Sequence, residues 1–581
     1  MAIRHRGAKP HRFAENPLLR LALPVWRAKF VGVGLLALFV LLMGKAFYLQ
    51  VINNEFLLAK GDSRYRRDLE VPASRGKIAD RNGDLLASST PAKSIWAIPG
   101  DARLEPLQAE ALAKLLGQDV KALERKLAAT GNFVYLQRQV APEVAAQIAA
   151  LKLPGIHQDT EFRRSYPAGE VSAHLVGFTG VDNKGLEGVE LAFQSALMGT
   201  SGHRSVIRDR RGQIVEEIGN MRPPQNGEDI RLALDSRLQF LVFSAIREAA
   251  LEHRAKAASA VVIDVKSGEI LALANWPSYD PNKRAGLSGA ALRNRAVTDS
   301  FEPGSTLKPF PVALALEKGK FRFDSPINCA PGKLTIGNAT ISDAHAYGEL
   351  SVAQVIQKSS NVGVAKIAST FAPREMWEMY DALGFGTSPA LGFPGEVGGR
   401  LRPWKNWRPI EQATMSYGHG ISVSLIQLAH AYTVFARDGD LIPLSLTQLA
   451  EEQVPPRGVQ VFSPQTVGEI RAMLEMVVNP GGTATRAQTP GYRVGGKTGT
   501  AYKLEGGVYT KKYVATFVGI APMSAPRFVI AVMVDEPSAG QHFGGAVAAP
   551  VFSKIAAGVL RSQGIPYDVN VQVASGQGGA L

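Results

Sequence analysis

Residues 301–310 read FEPGSTLKPF, and the reading of this decapeptide decides the fold. Ser305 and Lys308 are three apart, with Gly304 before the serine and the apolar run PVALALEKG behind the lysine. On a helix, residues three apart share a face with Cβ atoms about 5–6 Å apart, so hydroxyl and amine are neighbours. A serine hydroxyl is a weak nucleophile that needs an adjacent base. A lysine can be that base only when burial or a like charge has lowered its pKa. Gly304 allows a tight entrance into the helix. Ser305 would then sit in the first turn, where free backbone N–H groups can stabilise an oxyanion.

Two further short motifs follow in order: KSSNVG at 358–363, with Ser359 and Asn361, and GGKTGTA at 495–501, with Lys497, Thr498, Gly499 and Thr500. Each alone is weak. A second S-x-x-K stands at Ser74 and Lys77, and a second K-S-G at Lys266 to Gly268. The first decoy lies in a loop with glycine at a poor helical position, and the second is a turn between two strands. By contrast Ser305–Lys308 opens an apolar helix, Ser359–Asn361 begins another (VGVAKIAS), and Lys497–Thr500 precedes a strand. Three motifs in this order and context are together strong evidence, although each alone is not.

Outward from this site, charge and length bound the rest. The chain has 581 residues, net charge +14 and one cysteine, Cys329. No internal disulfide framework is possible, and no Cys/His cluster has zinc spacing. No metal or cofactor is expected. The basic excess is uneven. Residues 1–29 hold Arg4, Arg6, Lys9, Arg12, Arg20, Arg27 and Lys29 against one acid, Glu15. The uncharged run FVGVGLLALFVLLMG (30–44) follows, and apolar character resumes past Lys45 to Leu49. About 20 helical residues span ~30 Å of hydrocarbon. A cleaved signal peptide would need a small-residue cleavage site, and KAFYLQVINN is a poor one. The positive-inside rule predicts an uncleaved anchor over 30–50, a cytoplasmic tail over 1–29 and an exported remainder. Nucleic acid is therefore excluded as a partner.

The exported part reads as α+β. Residues 71–89 predict a strand, a turn at Asn82-Gly83 and a second strand. Helical spacing covers 105–129, 142–152 and 184–199, and 204–218 predicts a hairpin. No catalytic constellation occurs here, so 51–227 is read as a scaffold or docking module. After the loop near 220–228, a helix begins with Asp235 or Ser236 as its cap. Strands follow at 259–275, turning at Lys266–Gly268. Two more, at 513–522 and 527–537, precede a closing helix at 551–560. Strands at both sequence ends with helices between predict one antiparallel sheet carrying a helical insert over 228–565. The last residues, 566–581, are expected to be disordered.

The three motifs, together with RGKIADRNGDLLA (75–87), FRRSYPAGEV, GLEGVE, RDRRG, RNRAVTDSFEPGSTLKP and GGAVAAPVF (544–552), resemble the class B penicillin-binding proteins. The likeness is to their division-specific type, the peptidoglycan D,D-transpeptidases, and covers nearly the whole chain. It implies a penicillin-binding, serine β-lactamase-like transpeptidase domain after a β-rich pedestal and one transmembrane helix. It further implies an acyl-enzyme at Ser305, with Lys308 moving the proton, Ser359 relaying it and Asn361 holding the peptide amide. Lys497 would supply positive field, and Thr498, Gly499 and Thr500 would bind the substrate carboxylate. Tyr417 and Glu302 are expected to bind substrate as well, Tyr417 by lining the cleft. In MSYGHGISVS (415–424), His419 stands where close relatives often carry a second aromatic. The implied partners are stem pentapeptides, β-lactams, an FtsW-like lipid-linked glycosyltransferase and division-complex proteins at the inner membrane. An elongation-specific relative and a mainly scaffolding division protein are the alternatives. A β-lactamase is disfavoured by the anchor and the pedestal.

Overall fold

The computed structural model describes residues 24–56, 60, 66–131, 133–208, 214–283, 289–450 and 457–569. The chain forms two compact units, residues 1–71 with 202–223, and residues 72–201 with 224–581. Most of the expected cytoplasmic tail, residues 1–23, lies outside the described residues, as does 570–581.

In the first unit, helix α1 (Val25–Phe47) continues into a π turn, Tyr48–Ile52. None of its residues is buried. By length and composition this helix, with Leu, Val and Phe exposed on every side, is able to cross a membrane. It begins five residues before the expected anchor, so Trp26, Arg27 and Lys29 belong to it. The expected hairpin over 204–218 is present as Gly202–Arg208 and Ile214–Arg222. A third strand, Arg66–Val71, pairs antiparallel with Gly202–Arg208, Leu69 opposite Arg204. Its partner is over a hundred residues away, beyond the reach of local pattern.

Among its described residues the second unit has two five-stranded sheets and four two-stranded ones. In its N-terminal part the long strand Leu85–Ala97 pairs with Val134–Val140 and Ile156–Ser165. Helices Pro106–Leu116, Val120–Leu127 and Pro142–Ala150 cover one core, built on Ile95, Leu112, Leu123, Leu136 and Ile148. The single helix expected over 105–129 is broken at Gly117, whose φ of 63° ends the first segment. That expected over 184–199 is likewise split into Gly188–Ala192 and Gln194–Leu197. Residues 71–89 yield only a two-residue first strand, Ile78–Ala79, before the turn at Gly83.

The three boxes of this region converge on one carboxylate. Arg75 from RGKIADRNGD and Arg164 from FRRSYP both bind Glu190 from GLEGVE. Their Nε atoms lie 2.5 and 2.7 Å from its two oxygens. All three side chains are at most 2% exposed.

The main sheet is antiparallel throughout. Its strands are β1 (Ala257–Asp264), β2 (Ile270–Trp276), β3 (Gly495–Glu505), β4 (Val508–Ala521) and β5 (Phe528–Asp535), in the order β2-β1-β5-β4-β3. Every residue of β1 and β5 is buried, so both faces are covered. Helices α2 (Ser236–Glu252) and α8 (Ala549–Ser562) pack on each other and on the sheet. The insert contributes α3 (Pro309–Glu317), α4 (Val352–Lys358), α5 (Asn361–Ala368), α6 (Leu425–Ala436) and α7 (Pro464–Val478). Of these, α6 lies against β5 and β1. Asp235 caps α2, its Oδ1 accepting from Arg237 N and Leu238 N. The predicted turn at Lys266–Gly268 is present, Gly268 N donating to Asp264 O.

The expected placement of Lys497–Thr500 ahead of a strand is corrected: the motif lies inside β3. Gly506 and Gly507, at φ 59° and 83°, form the two-residue turn that folds β3 back onto β4. Residues 566–569, expected to belong to a disordered tail, are instead held in place. Asp568 accepts from Arg493 N at 2.7 Å, and the Tyr567 ring lies 5.0 Å from that of Tyr492.

Candidate active site

Ser305 is carried on a 3-10 turn, Gly304–Leu307, which feeds into α3 through Pro309. A 3-10 turn eclipses residues three apart, which aligns Ser305 and Lys308 more directly than an α-turn. Ser305 is half-buried, whereas Lys308 is completely buried. Thr306 O accepts from Tyr432 Oη at 2.5 Å, and Thr306 Oγ1 donates to Pro303 O at 2.7 Å, which fixes the turn.

Ser359 occupies a left-handed position (φ 61°) between α4 and α5. Its hydroxyl stands between two lysines, 3.1 Å from Lys308 Nζ and 2.9 Å from Lys497 Nζ. Lys308 Nζ also donates to Ser359 O. Lys497 is completely buried in β3 and reaches Thr498 O and Thr498 Oγ1, each at 3.3 Å. Burial first, then the like charge of Lys497, hold the Lys308 amine well below the ordinary lysine range. Burial alone brings Lys497 down to about 7. The arrangement can therefore keep a neutral amine near Ser305 and pass protons through one hydroxyl.

Sequence reasoning missed Asp343. Its carboxylate accepts from Ser360 Oγ at 2.7 Å, from Val362 N at 3.0 Å and from Asn361 N. It thus caps α5 and holds the S-S-N turn, and its negative charge works against the lowering of the Lys308 pKa. An acid seventeen residues away in a loop gives no local signal. Asn361 donates through Nδ2 to Ser342 O at 2.9 Å.

The remaining predicted residues sort by position. Thr498 Oγ1 shares a hydrogen bond with Thr483 Oγ1 at 3.0 Å, and Thr500 Oγ1 accepts from Gly544 N at 3.0 Å. Gly499 contributes by being small: a Cβ would fall 2.2 Å from Thr516 Oγ1 and 2.8 Å from Pro303 O. Tyr417 is buried, with its phenol pushed up to about 12 by burial, and its ring is 5.3 Å from His419. Burial lowers the His419 pKa against the opposing pull of Glu302. Glu302 binds within the protein, accepting from Gly420 N and Tyr509 Oη. The decoy Ser74–Lys77 is remote in function: its Arg75 belongs to the Glu190 cluster. A cavity of about 560 Å³ beside Lys266, Arg437 and Tyr567 contains none of the motif residues.

A turn-borne serine, a buried amine beside it and a hydroxyl bridging to a second lysine define a serine acyl-transferase. Comparison with known proteins gives the family. Residues 258–557 match the penicillin-binding protein transpeptidase domain, and residues 70–232 the penicillin-binding protein dimerisation domain. A probable peptidoglycan D,D-transpeptidase PenA of Neisseria gonorrhoeae is 45% identical over 545 residues, 93% of each chain. The peptidoglycan D,D-transpeptidase FtsI of Escherichia coli K12 is 43% identical over 558 residues, covering 94% of this chain and 93% of that one. The apo transpeptidase domain of Burkholderia pseudomallei penicillin-binding protein 3 superposes with a TM-score of 0.54 at 50% identity. It spans 58% of this chain and 98% of its own. The chain belongs to the class B penicillin-binding proteins, and it is a peptidoglycan D,D-transpeptidase.

Proposed function

We propose that the chain cross-links stem peptides at the division septum through an acyl-enzyme at Ser305. The observation that carries this reading is the Lys308–Ser359–Lys497 relay, buried beside the serine turn. Neutral Lys308 takes the Ser305 proton as Oγ attacks the penultimate D-Ala carbonyl. The backbone N–H groups of Ser305 and Thr500 receive the oxyanion. Ser359 delivers the proton to the departing D-Ala nitrogen as the C–N bond breaks. Lys497, Thr498 and Thr500 hold the terminal carboxylate, and Asn361 Oδ1 receives the stem amide. The amine of a neighbouring stem then attacks the ester, its proton returns through Lys308 to Ser305, and the cross-link is released. β-Lactams acylate the same serine.

Topology and partners follow in the same reading. The basic residues 1–29 stay in the cytoplasm, α1 crosses the inner membrane once, and the catalytic domain is periplasmic. Residues 51–227 act as a docking pedestal for an FtsW-like glycosyltransferase and division proteins. The 43% identity to an FtsI favours division over elongation. The test is gel labelling with a fluorescent penicillin together with depletion in the host. Wild type labels, Ser305→Ala does not, and depletion gives filaments with normal width. Labelling that persists in Ser305→Ala would move the nucleophile elsewhere, and depletion giving rounded cells would assign the elongation role.

A further inference from the structure

Glu302 stands three residues before Ser305, and its carboxylate is committed to two different walls of the cleft. Oε1 accepts from Gly420 N at 2.9 Å. Tyr509 Oη donates from 3.0 Å to Oε1 and 3.1 Å to Oε2. His419 Nδ1 lies 3.8 Å from Oε2. Gly420 and His419 belong to the turn that begins at Tyr417. Its Gly418 meets the serine turn so closely that a Cβ would fall 2.2 Å from Gly304 O. Tyr509 is the second residue of β4, just past the Gly506–Gly507 turn, at the tip of the hairpin whose other strand carries Lys497–Thr500. The Tyr509 and His419 rings are 5.9 Å apart. A carboxylate only 11% exposed is costly unless its oxygens are paired, and these are paired only while both walls close on it.

We propose that Glu302 is a positioning residue. It latches the tip of the β3–β4 hairpin and the Tyr417–Gly420 turn to the turn bearing Ser305, and so sets the width of the cleft ahead of the nucleophile. The inference rests on the reading of Ser305 as nucleophile. It replaces direct substrate binding by Glu302 with control of the two walls that receive substrate. Because the latch is a shape, an amide should serve nearly as well as a carboxylate. An uncharged glutamine keeps a side-chain oxygen for Gly420 N and Tyr509 Oη.

The test uses the full-length chain in detergent and a fluorescent penicillin, recording the second-order acylation rate constant and the labelling endpoint. Glu302→Ala should lower the rate constant about tenfold or more, with the endpoint unchanged. Tyr509→Phe should lower it several-fold, and the double variant should be no slower than Glu302→Ala, since both remove one contact. Glu302→Gln should stay within about threefold of wild type. The latch is overturned by wild-type rates in both Glu302→Ala and Tyr509→Phe, by effects that multiply independently, or by Glu302→Gln falling to the level of Glu302→Ala. A lower endpoint with an unchanged rate constant would assign Glu302 to folding alone and also overturn it. Absence of wild-type labelling, or labelling that survives Ser305→Ala, would instead overturn the nucleophile assignment beneath it.

Discussion

Two clusters of buried cations are treated in opposite ways. In the dimerisation domain, Arg75 and Arg164 flank Glu190, so opposite charges meet at 2.5 and 2.7 Å. Arg75 also donates to Glu190 O at 2.6 Å and to Gln194 Oε1 at 2.9 Å. At the active site, Lys308 and Lys497 share one neutral hydroxyl, and no carboxylate lies within ion-pair distance of either among the described residues. Desolvation opposes charge in both places. In the first it is offset by pairing and by multidentate hydrogen bonds. In the second it is left to act on the amines, and their pKa values fall. The paired cluster is architecture, whereas the unpaired one is stored chemical reactivity.

The largest test of that contrast is to remove the amine that matters for chemistry. Lys308→Met keeps most of the volume and deletes the base. Penicillin labelling of Ser305 should fall by about a thousandfold or more. The melting temperature should hold or rise, because a fully desolvated amine has been replaced by an apolar side chain of similar volume. Measuring both on one preparation decides the matter. A variant that labels normally, or loses stability in step with labelling, breaks the contrast.

Glu190→Gln inverts the experiment. Two buried guanidinium groups would lose their counter-charge, at a cost of about 3–5 kcal/mol. Thermal or urea unfolding should show it, while the acylation rate constant per folded molecule stays at the wild-type value. Lost acylation at full stability would make the cluster part of the catalytic machinery instead.

How far the sequence foretold these two clusters depends on how local each signal is. Ser305 and Lys308 are three residues apart, and the strands around Lys266–Gly268 alternate within their own span, so both were readable. Lys497 was readable as a residue but misplaced before a strand, although Glu505-Gly506-Gly507-Val508 is itself a hairpin signal. The Glu190 cluster joins residues 75, 164 and 190. Its three boxes were visible as separate stretches, but nothing in sequence says that they meet. Asp343 and Tyr509 were missed for the same reason. Each acts across a fold that brings distant loops together. Glu302 was expected among the substrate-binding residues, and its partners could only be found in three dimensions.

A subtler probe is pH. Lys497 titrates near about 7 in the folded chain and at the ordinary 10.5 when unfolded. Between those values the unfolded state binds the extra proton, so this lysine makes stability rise with pH through that window and depresses it below about 7. Subtracting the pH–stability curve of Lys497→Met from that of wild type should isolate the rise. Acylation by carboxylate-bearing β-lactams should run the other way on the alkaline side, as the ammonium that attracts them is lost. On the acidic side it should fall as Lys308 gains a proton. A flat difference curve would mean that Lys497 is charged at no cost, and the active-site cluster would then resemble the Glu190 one.

The smallest expected effect comes from a third kind of pair. Arg374 and Glu378 are i,i+4 on helix Pro373–Ala382, 2.7 Å apart and 66% and 51% exposed. Their distance matches that of Arg164 to Glu190, but water solvates both charges before and after folding. Glu378→Ala should change stability by no more than about 0.5 kcal/mol, with labelling unaffected. If this substitution cost as much as Glu190→Gln, proximity rather than burial would set the price of breaking an ion pair. The physical distinction between the two buried clusters, which depends on desolvation, would then fail as well.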